Sequence, residues 1–297
     1  MRTIPAKTIL SAYSDCGWFG SNYNMNIYKG CCHGCIYCDS RSECYRVDRF
    51  DEVRAKENAL SVIERDLKSK RKRGLVMTGS MSDPYNPFEE KELLTRGALE
   101  LIDKYTFGIV IATKSDLVTR DSDCLLAVKK HSPAAVNFTI TCFEDELCAK
   151  VERNVCPSSR RFEAIKKLTE IGINCGVILM PILPFINDTE ENIGSIIKCA
   201  AKAGAKWVYP GHKGCFSVTL RQNQRQYFYD RLNESFPGIK KLYIKKFGTA
   251  YECNSSKAKE LWPFFTGLCD EHGLLYSMNK IAGMIKGSYT SEQMSLF

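Results

Sequence analysis

No apolar run in this sequence approaches the roughly 20 residues that cross a bilayer. The opening Met1-Arg2-Thr3-Ile4-Pro5-Ala6-Lys7 lacks the apolar core of a signal peptide. Those absences argue against a membrane partner and lead us to expect a cytoplasmic protein. A disulfide scaffold is excluded next, because 15 cysteines in a long chain with no such leader read as reduced thiols plus a metal site. Outside one array the cysteines are scattered, with no second C-x2-C or C-x3-C pair, so one centre is expected and paired zinc halves are not. A formal charge of +8 permits contact with a polyanion without showing it. The densest basic run, Lys68-Ser69-Lys70-Arg71-Lys72-Arg73, reads as a solvated helix end.

What is present is concentrated in Gly30-Cys31-Cys32-His33-Gly34-Cys35-Ile36-Tyr37-Cys38-Asp39. Cys31, Cys35 and Cys38 form a C-x3-C-x2-C array. Thiolates are soft ligands suited to iron–sulfur clusters, and a cubane takes four of them. Three within one short loop leave one iron open, and an open metal position is where a substrate or cofactor binds. Cys32 and His33 inside the array read as spacers.

At 297 residues and 44% apolar, the chain can bury a sizeable core as one large α/β domain or two small ones. Residues 1–24 show no periodicity, and Met25-Asn26-Ile27-Tyr28 reads as a short strand before the cysteine loop. Strands are then expected at Gly74–Gly79, Gly108–Thr113, Val136–Thr141, Cys175–Met180 and Lys206–Tyr209. Helices are expected between them at 51–69, 89–105, Cys124–Lys130, Arg161–Ile171 and 188–203, the last with Thr189 as N-cap. Six successive βα units predict a parallel sheet with its ligand site at the C-terminal edge. Periodicity leaves an open sheet and a barrel both standing. We divide the chain into an extension over 1–24, the βα region over 25–220, a helical, aromatic extension over 221–290 and a tail over 291–297.

The array resembles the signature of the radical S-adenosylmethionine (SAM) enzymes, with Tyr37 as the aromatic residue before the third cysteine. The resemblance implies a partial (βα)6 barrel and a [4Fe–4S] cluster whose open iron is chelated by SAM. It also implies reductive cleavage of SAM to a 5′-deoxyadenosyl radical, with an electron donor such as flavodoxin or ferredoxin. From about Met25 to about Pro184 the chain is most similar to the spore photoproduct lyase-like, or DNA repair photolyase-like, group. The matching residues are Ser82-Asp83 after the second strand, Thr113-Lys114 after the third and Phe138-Thr139-Ile140 in the fourth. The segment Glu152 to Arg161 and Pro181-Ile182 complete the match. Carried over by position, Ser82, Lys114 and Thr139 would bind SAM, with Tyr37, Ser80, Asp83 and Met180 around it. Hydroxyls suit ribose and an ammonium suits the methionyl carboxylate. That group's lyase carries a hydrogen-returning cysteine where this chain has Ser80, which makes Cys32 and Cys142 the candidate donors.

The final Ser291-Glu292-Gln293-Met294-Ser295-Leu296-Phe297 resembles the pentapeptide by which bacterial DNA-processing proteins dock on the polymerase sliding clamp. Gln293, Met294, Leu296 and Phe297 would make that contact, Met294 replacing leucine. The expected function is radical-SAM chemistry on nucleic acid, specifically damaged DNA. Two alternatives are modification of a peptide or small metabolite, and a clamp-associated protein with a structural or redox-sensing cluster. Tyr85, Tyr209 and His212 are candidate substrate contacts by position after strands.

Overall fold

The computed structural model describes residues 1–14, 17–211 and 216–287. His212 and the four tail residues Gln293, Met294, Leu296 and Phe297 lie outside the described residues.

A seven-stranded sheet organises the molecule. Its strands are β1 (Leu10–Ala12), β2 (Tyr23–Met25), β3 (Leu75–Thr78), β4 (Gly108–Thr113), β5 (Ala134–Thr139), β6 (Asn174–Ile178) and β7 (Trp207–Tyr209). In space they run β7-β6-β5-β4-β3-β2-β1. β2 through β7 are mutually parallel, and β1 adds antiparallel to the edge at β2. Crossovers are made by α1 (Ala59–Lys68), α2 (Leu94–Lys104), α3 (Ser122–Lys129), α4 (Asp145–Val151) with α5 (Ser158–Glu170), and α6 (Glu190–Lys202). This is the partial (βα)6 barrel.

Every residue of β3, β4 and β5 is buried, because helices cover one face and the barrel interior fills the other. The helices reach the sheet through apolar stripes; α2 buries Thr95, Ala98, Leu99 and Ile102 at helical spacing. Thr189 caps α6, its side chain accepting from Asn192 N–H.

On the inner face Met77, Val110, Ala135, Ile178, Trp207 and Tyr209 meet Phe19 from near the N-terminus and Ile281 and Ile285 of α10 (Met278–Lys286). Both ends of the chain therefore close the interior. Trp207 lies over β6 only because residue 176 is glycine: a Cβ there would sit 2.1 Å from the indole nitrogen. That nitrogen instead donates to Asn137 Oδ1 at 2.8 Å, satisfying a buried polar pair.

Several local expectations are corrected. The run Met25–Tyr28 is not one strand. Tyr23–Met25 joins the large sheet, while Tyr28–Lys29 pairs with Arg54–Lys56 in a small sheet that also takes Arg2–Ile4. Helix 89–105 is broken at Leu93, whose φ of 52° leaves Glu89–Glu92 as a separate turn. The extension over 221–290 is not purely helical, since it contains the strand Glu252–Asn254. β8 (Ser217–Thr219) and β9 (Glu252–Asn254) form an antiparallel ribbon, and α7 (Gln224–Ser235) and α8 (Ile239–Phe247) are inserted between its strands. α9 (Ala258–Glu271) then packs against α6.

Candidate active site

The cysteine loop leaves the small sheet at Gly30 and is pinned from three directions. Ser82 Oγ, after β3, donates to Gly30 O at 2.6 Å. Ile36 N–H donates to Val151 O at 3.0 Å, Asn154 N–H to His33 O at 2.9 Å and Asn154 Nδ2 to Cys32 O at 2.8 Å. From α7, Gln224 Nε2 donates to Tyr37 O at 3.1 Å. With so many backbone groups fixed, the three thiols are held before any ligand arrives, which is the preorganisation a metal site needs.

Cys31, Cys35 and Cys38 line one cavity of about 450 Å³ at the C-terminal edge of the sheet. Burial pushes the Cys31 thiol up to about 12 and raises Cys35 and Cys38 as well. Thiolates there need nearby positive charge, which a bound iron–sulfur cluster supplies outright. Among the described residues no three His, Cys, Asp or Glu side chains converge on a point for a single ion. A cubane makes no such demand, since each thiolate takes a different iron, so the residues present fit a cluster.

Four strand ends complete the cavity. Gly79, with φ +95°, turns the chain after β3, and a Cβ there would meet Ala112 O at 1.9 Å. Asp83 then ties two loops together: Oδ1 accepts from Tyr85 N–H at 2.9 Å and Thr113 Oγ1 at 2.7 Å, and Oδ2 from Lys114 N–H at 2.7 Å. Its other neighbour is His33 Nδ1 at 3.6 Å, whose ring is held below its ordinary value by burial.

Lys114 and Thr139 are different. Among the described residues, neither the Lys114 ammonium nor the Thr139 hydroxyl has a hydrogen-bond or ion-pair partner, yet both side chains line the cavity. Burial opposes the Lys114 charge, but Cys35, Glu152 and Asp83 outweigh it and hold the group above its ordinary range. The ammonium lies 5.8 Å from the Tyr37 ring centroid. A half-buried cation with no hydrogen bond or ion pair, beside an unpaired hydroxyl, suits a ligand bearing a carboxylate and a ribose.

On the other side of the loop the polar groups are saturated. Cys35 forms an antiparallel bridge with Glu152. Glu152 accepts from Tyr37 Oη and, at 2.6 Å, from Arg161 Nη1. Arg161, fully buried, also donates to Thr139 O at 2.7 Å and Cys156 O at 2.8 Å. Burial pushes the Glu152 carboxyl up, but Arg161 and Lys114 prevail and hold it below the usual range.

Of the residues singled out from sequence, Tyr37, Ser80, Ser82, Asp83, Lys114, Thr139 and Met180 all line this cavity. Ser80 is exposed and donates to Asn24 Oδ1 at 3.0 Å. Asp83 is spent on the loops. Of the candidate donors, neither Cys32 nor Cys142 lines the cavity. Cys142 is 1% exposed in a separate core with Cys148, Leu183 and Val218, and burial pushes its thiol up to about 12. Tyr209 belongs to the inner core. Tyr85 is buried against a second cavity on the Ser115–Arg120 side.

Sequence reasoning missed several contributors from distant segments. Trp18 enters from the N-terminal segment, and Val218 and Thr219 from the ribbon, where no motif signals them. The Glu152–Arg161 pair lay inside a segment already singled out, but only the fold shows that it backs the cysteine loop.

Residues 25–195 match the family model of the Radical SAM superfamily. An uncharacterized protein of Methanocaldococcus jannaschii is 38% identical over 59% of this chain and 66% of its own, so the chain spans just under two thirds of that relative's length. An uncharacterized protein of Mycobacterium bovis is 26% identical over 81% of this chain and 71% of its own. Among solved structures, a spore photoproduct lyase complexed with dinucleoside spore photoproduct shares the fold with a TM-score of 0.64 at 16% identity. That match covers 90% of this chain and 79% of the other.

Proposed function

Because the chain belongs to the Radical SAM superfamily, we propose that it is an enzyme that turns this chemistry on nucleic acid, specifically on a damaged DNA base. Its cofactors are a [4Fe–4S] cluster and SAM. Together they supply an organic radical able to take a hydrogen atom from carbon. The chain's own residues have the supporting roles. Cys31, Cys35 and Cys38 hold the cluster, Lys114 faces the methionyl carboxylate, and Thr139 and Ser82 stand where a ribose would lie. Trp18 and Met180 give the cavity apolar walls that limit water. An external one-electron reductant, of the flavodoxin or ferredoxin kind, completes the cycle.

The observation that carries this reading is the half-buried Lys114 ammonium, which makes no hydrogen bond or ion pair among the described residues and lines the same cavity as three thiols. DNA as substrate draws on the basic balance of the chain and on the fold shared with the lyase. The route differs from that lyase's at hydrogen return, since Ser80 replaces its cysteine and neither Cys32 nor Cys142 reaches the cavity.

The test is anaerobic. The protein is reconstituted with iron and sulfide, reduced, and given SAM with intact or ultraviolet-irradiated oligonucleotide, beside a Cys35→Ala control. Deoxyadenosine that depends on Cys35 and rises with the irradiated DNA supports the reading. Deoxyadenosine indifferent to every DNA would move the substrate to another class, and none at all would sink the radical chemistry.

A further inference from the structure

The net charge is not spread evenly. Residues 220–251 carry seven Lys/Arg against two Asp/Glu, so five of the chain's eight net positive charges lie there. From Phe236 to Tyr251 there are four lysines and no acidic residue. This is the segment inserted between β8 and β9, and Val218 and Thr219 of β8 line the active-site cavity. The basic insertion therefore springs from the cavity wall.

α8 within it is thinly anchored. Tyr243 is buried, with Ile239 and Phe247 partly covered, while Lys241, Leu242, Ile244, Lys245 and Lys246 are exposed. Lys241 and Lys245 stand one turn apart in the middle of the solvent face. The chain leaving α8 borders a groove of about 870 Å³ lined by Arg221, Arg225, Tyr229, Thr249 and Tyr251, with Glu43 its acidic member. Arg221 ties the groove to the cavity: its Nε donates to Asp39 Oδ1 at 3.0 Å, and Asp39 lines both the loop and the cavity. The Arg221 guanidinium also lies 4.9 Å from the Tyr251 ring, which is 48% exposed. Tyr45, 38% exposed, donates to Asp39 from the other side.

Lysines without acidic neighbours, then exposed tyrosine rings, then a reaction cavity are the parts of a strand-binding track, in which cations follow the backbone and rings stack on unpaired bases. We infer that α8 and the Arg221–Tyr251 groove bind a single-stranded or unstacked stretch of nucleic acid and lead its base to the cavity. This rests on the nucleic-acid reading above and adds the surface to it. A membrane is the lesser fit. α8 has nine residues and exposes only Leu242 and Ile244 as large apolar side chains, where an interfacial helix needs a broad apolar face.

The experiment measures binding of the reconstituted full chain to a fluorescent single-stranded oligonucleotide at several salt concentrations. It compares wild type, Lys241→Glu/Lys245→Glu and Arg71→Glu/Lys72→Glu. The last pair makes the same charge change in the exposed run ahead of β3, at the opposite end of the sheet. The expected result is binding weakened about ten-fold or more by the α8 pair, with a salt slope shallower by roughly 0.7 per lost contact. DNA-independent deoxyadenosine formation should be unchanged in that variant, and the Arg71/Lys72 pair should bind within about two-fold of wild type. Equal loss in both variants, or none in either, would overturn the surface while leaving nucleic acid as substrate. Failure of the wild type to bind any oligonucleotide would overturn both. Loss of anionic-vesicle binding by the α8 pair, with oligonucleotide binding intact, would assign the helix to a membrane.

Discussion

The loop that carries Cys31, Cys35 and Cys38 stands between two polar regions of opposite character. Behind the loop, Glu152 accepts from Arg161 and from Tyr37 Oη, and Arg161 also donates to backbone carbonyls. Toward the cavity, Lys114 and Thr139 offer an ammonium and a hydroxyl with no hydrogen-bond or ion-pair partner among the described residues. The first region is almost wholly buried while Lys114 is half-buried against the cavity, so the two differ in how they are desolvated and in what repays it. The first region is completed by folding and the second only by a ligand. Substitutions on the two sides should therefore fail in different ways.

The largest effect is expected at the loop between them. Cys35→Ala should abolish cluster incorporation and deoxyadenosine formation together, read from iron content and chromatography on anaerobically reconstituted protein. Retained turnover with this variant would remove the array from the chemistry.

The paired side comes next. Glu152→Gln leaves the buried Arg161 guanidinium without its counter-charge and should cost about 3–5 kcal/mol of stability at pH 7. The carboxyl is held below its ordinary 4.5, so its contribution is complete above that value and fades as pH falls through the lower folded value. The gap between the urea midpoints of wild type and variant should therefore be widest near neutrality and close toward strong acid. A gap constant with pH would show that packing, not charge, is what the substitution removes.

The unpaired side should behave in the reverse sense. Lys114→Met removes a cation that Cys35, Glu152 and Asp83 favour only through space, without a hydrogen bond or ion pair, so thermal stability should fall only slightly while the KM for SAM increases about ten- to a hundred-fold. A drop in melting temperature with KM unchanged would place Lys114 on the structural side and erase the contrast.

Part of this was legible in the sequence. β3, β4 and β5 are buried on both faces, so they appear as short apolar runs, broken only by Asn137 in β5, that need no partner to be recognised. The cysteine spacing and the residues after each strand end converge because parallel βα units put every such turn at one edge. What was illegible depended on contacts between distant segments or on side-chain direction. Phe19 and Ile281 close the barrel from near opposite ends of the chain, and nothing in either segment announces that they meet. The break at Leu93 is a left-handed turn at a residue that carries no turn signal. Cys32 sits inside the motif yet does not line the cavity, since adjacency in a loop does not fix which way a side chain points.

The smallest effect tests the contrast most finely, because Thr139 takes part in both regions. Its carbonyl accepts from Arg161 on the paired side, while its hydroxyl lines the cavity without a partner. Thr139→Val keeps the β-branched shape and the carbonyl and deletes only the hydroxyl. If the two sides are separable, stability should stay within about 0.5 kcal/mol, because no protein hydrogen bond is lost. The KM for SAM should rise several-fold, the worth of one neutral hydrogen bond of about 0.5–1.5 kcal/mol. Combined with Lys114→Met, the two losses of affinity should add if each group meets a different part of the ligand, carboxylate and ribose. A double variant no worse than Lys114→Met alone would mean that the hydroxyl acts only by positioning the ammonium, and the cavity would then offer SAM one polar anchor from this pair rather than two.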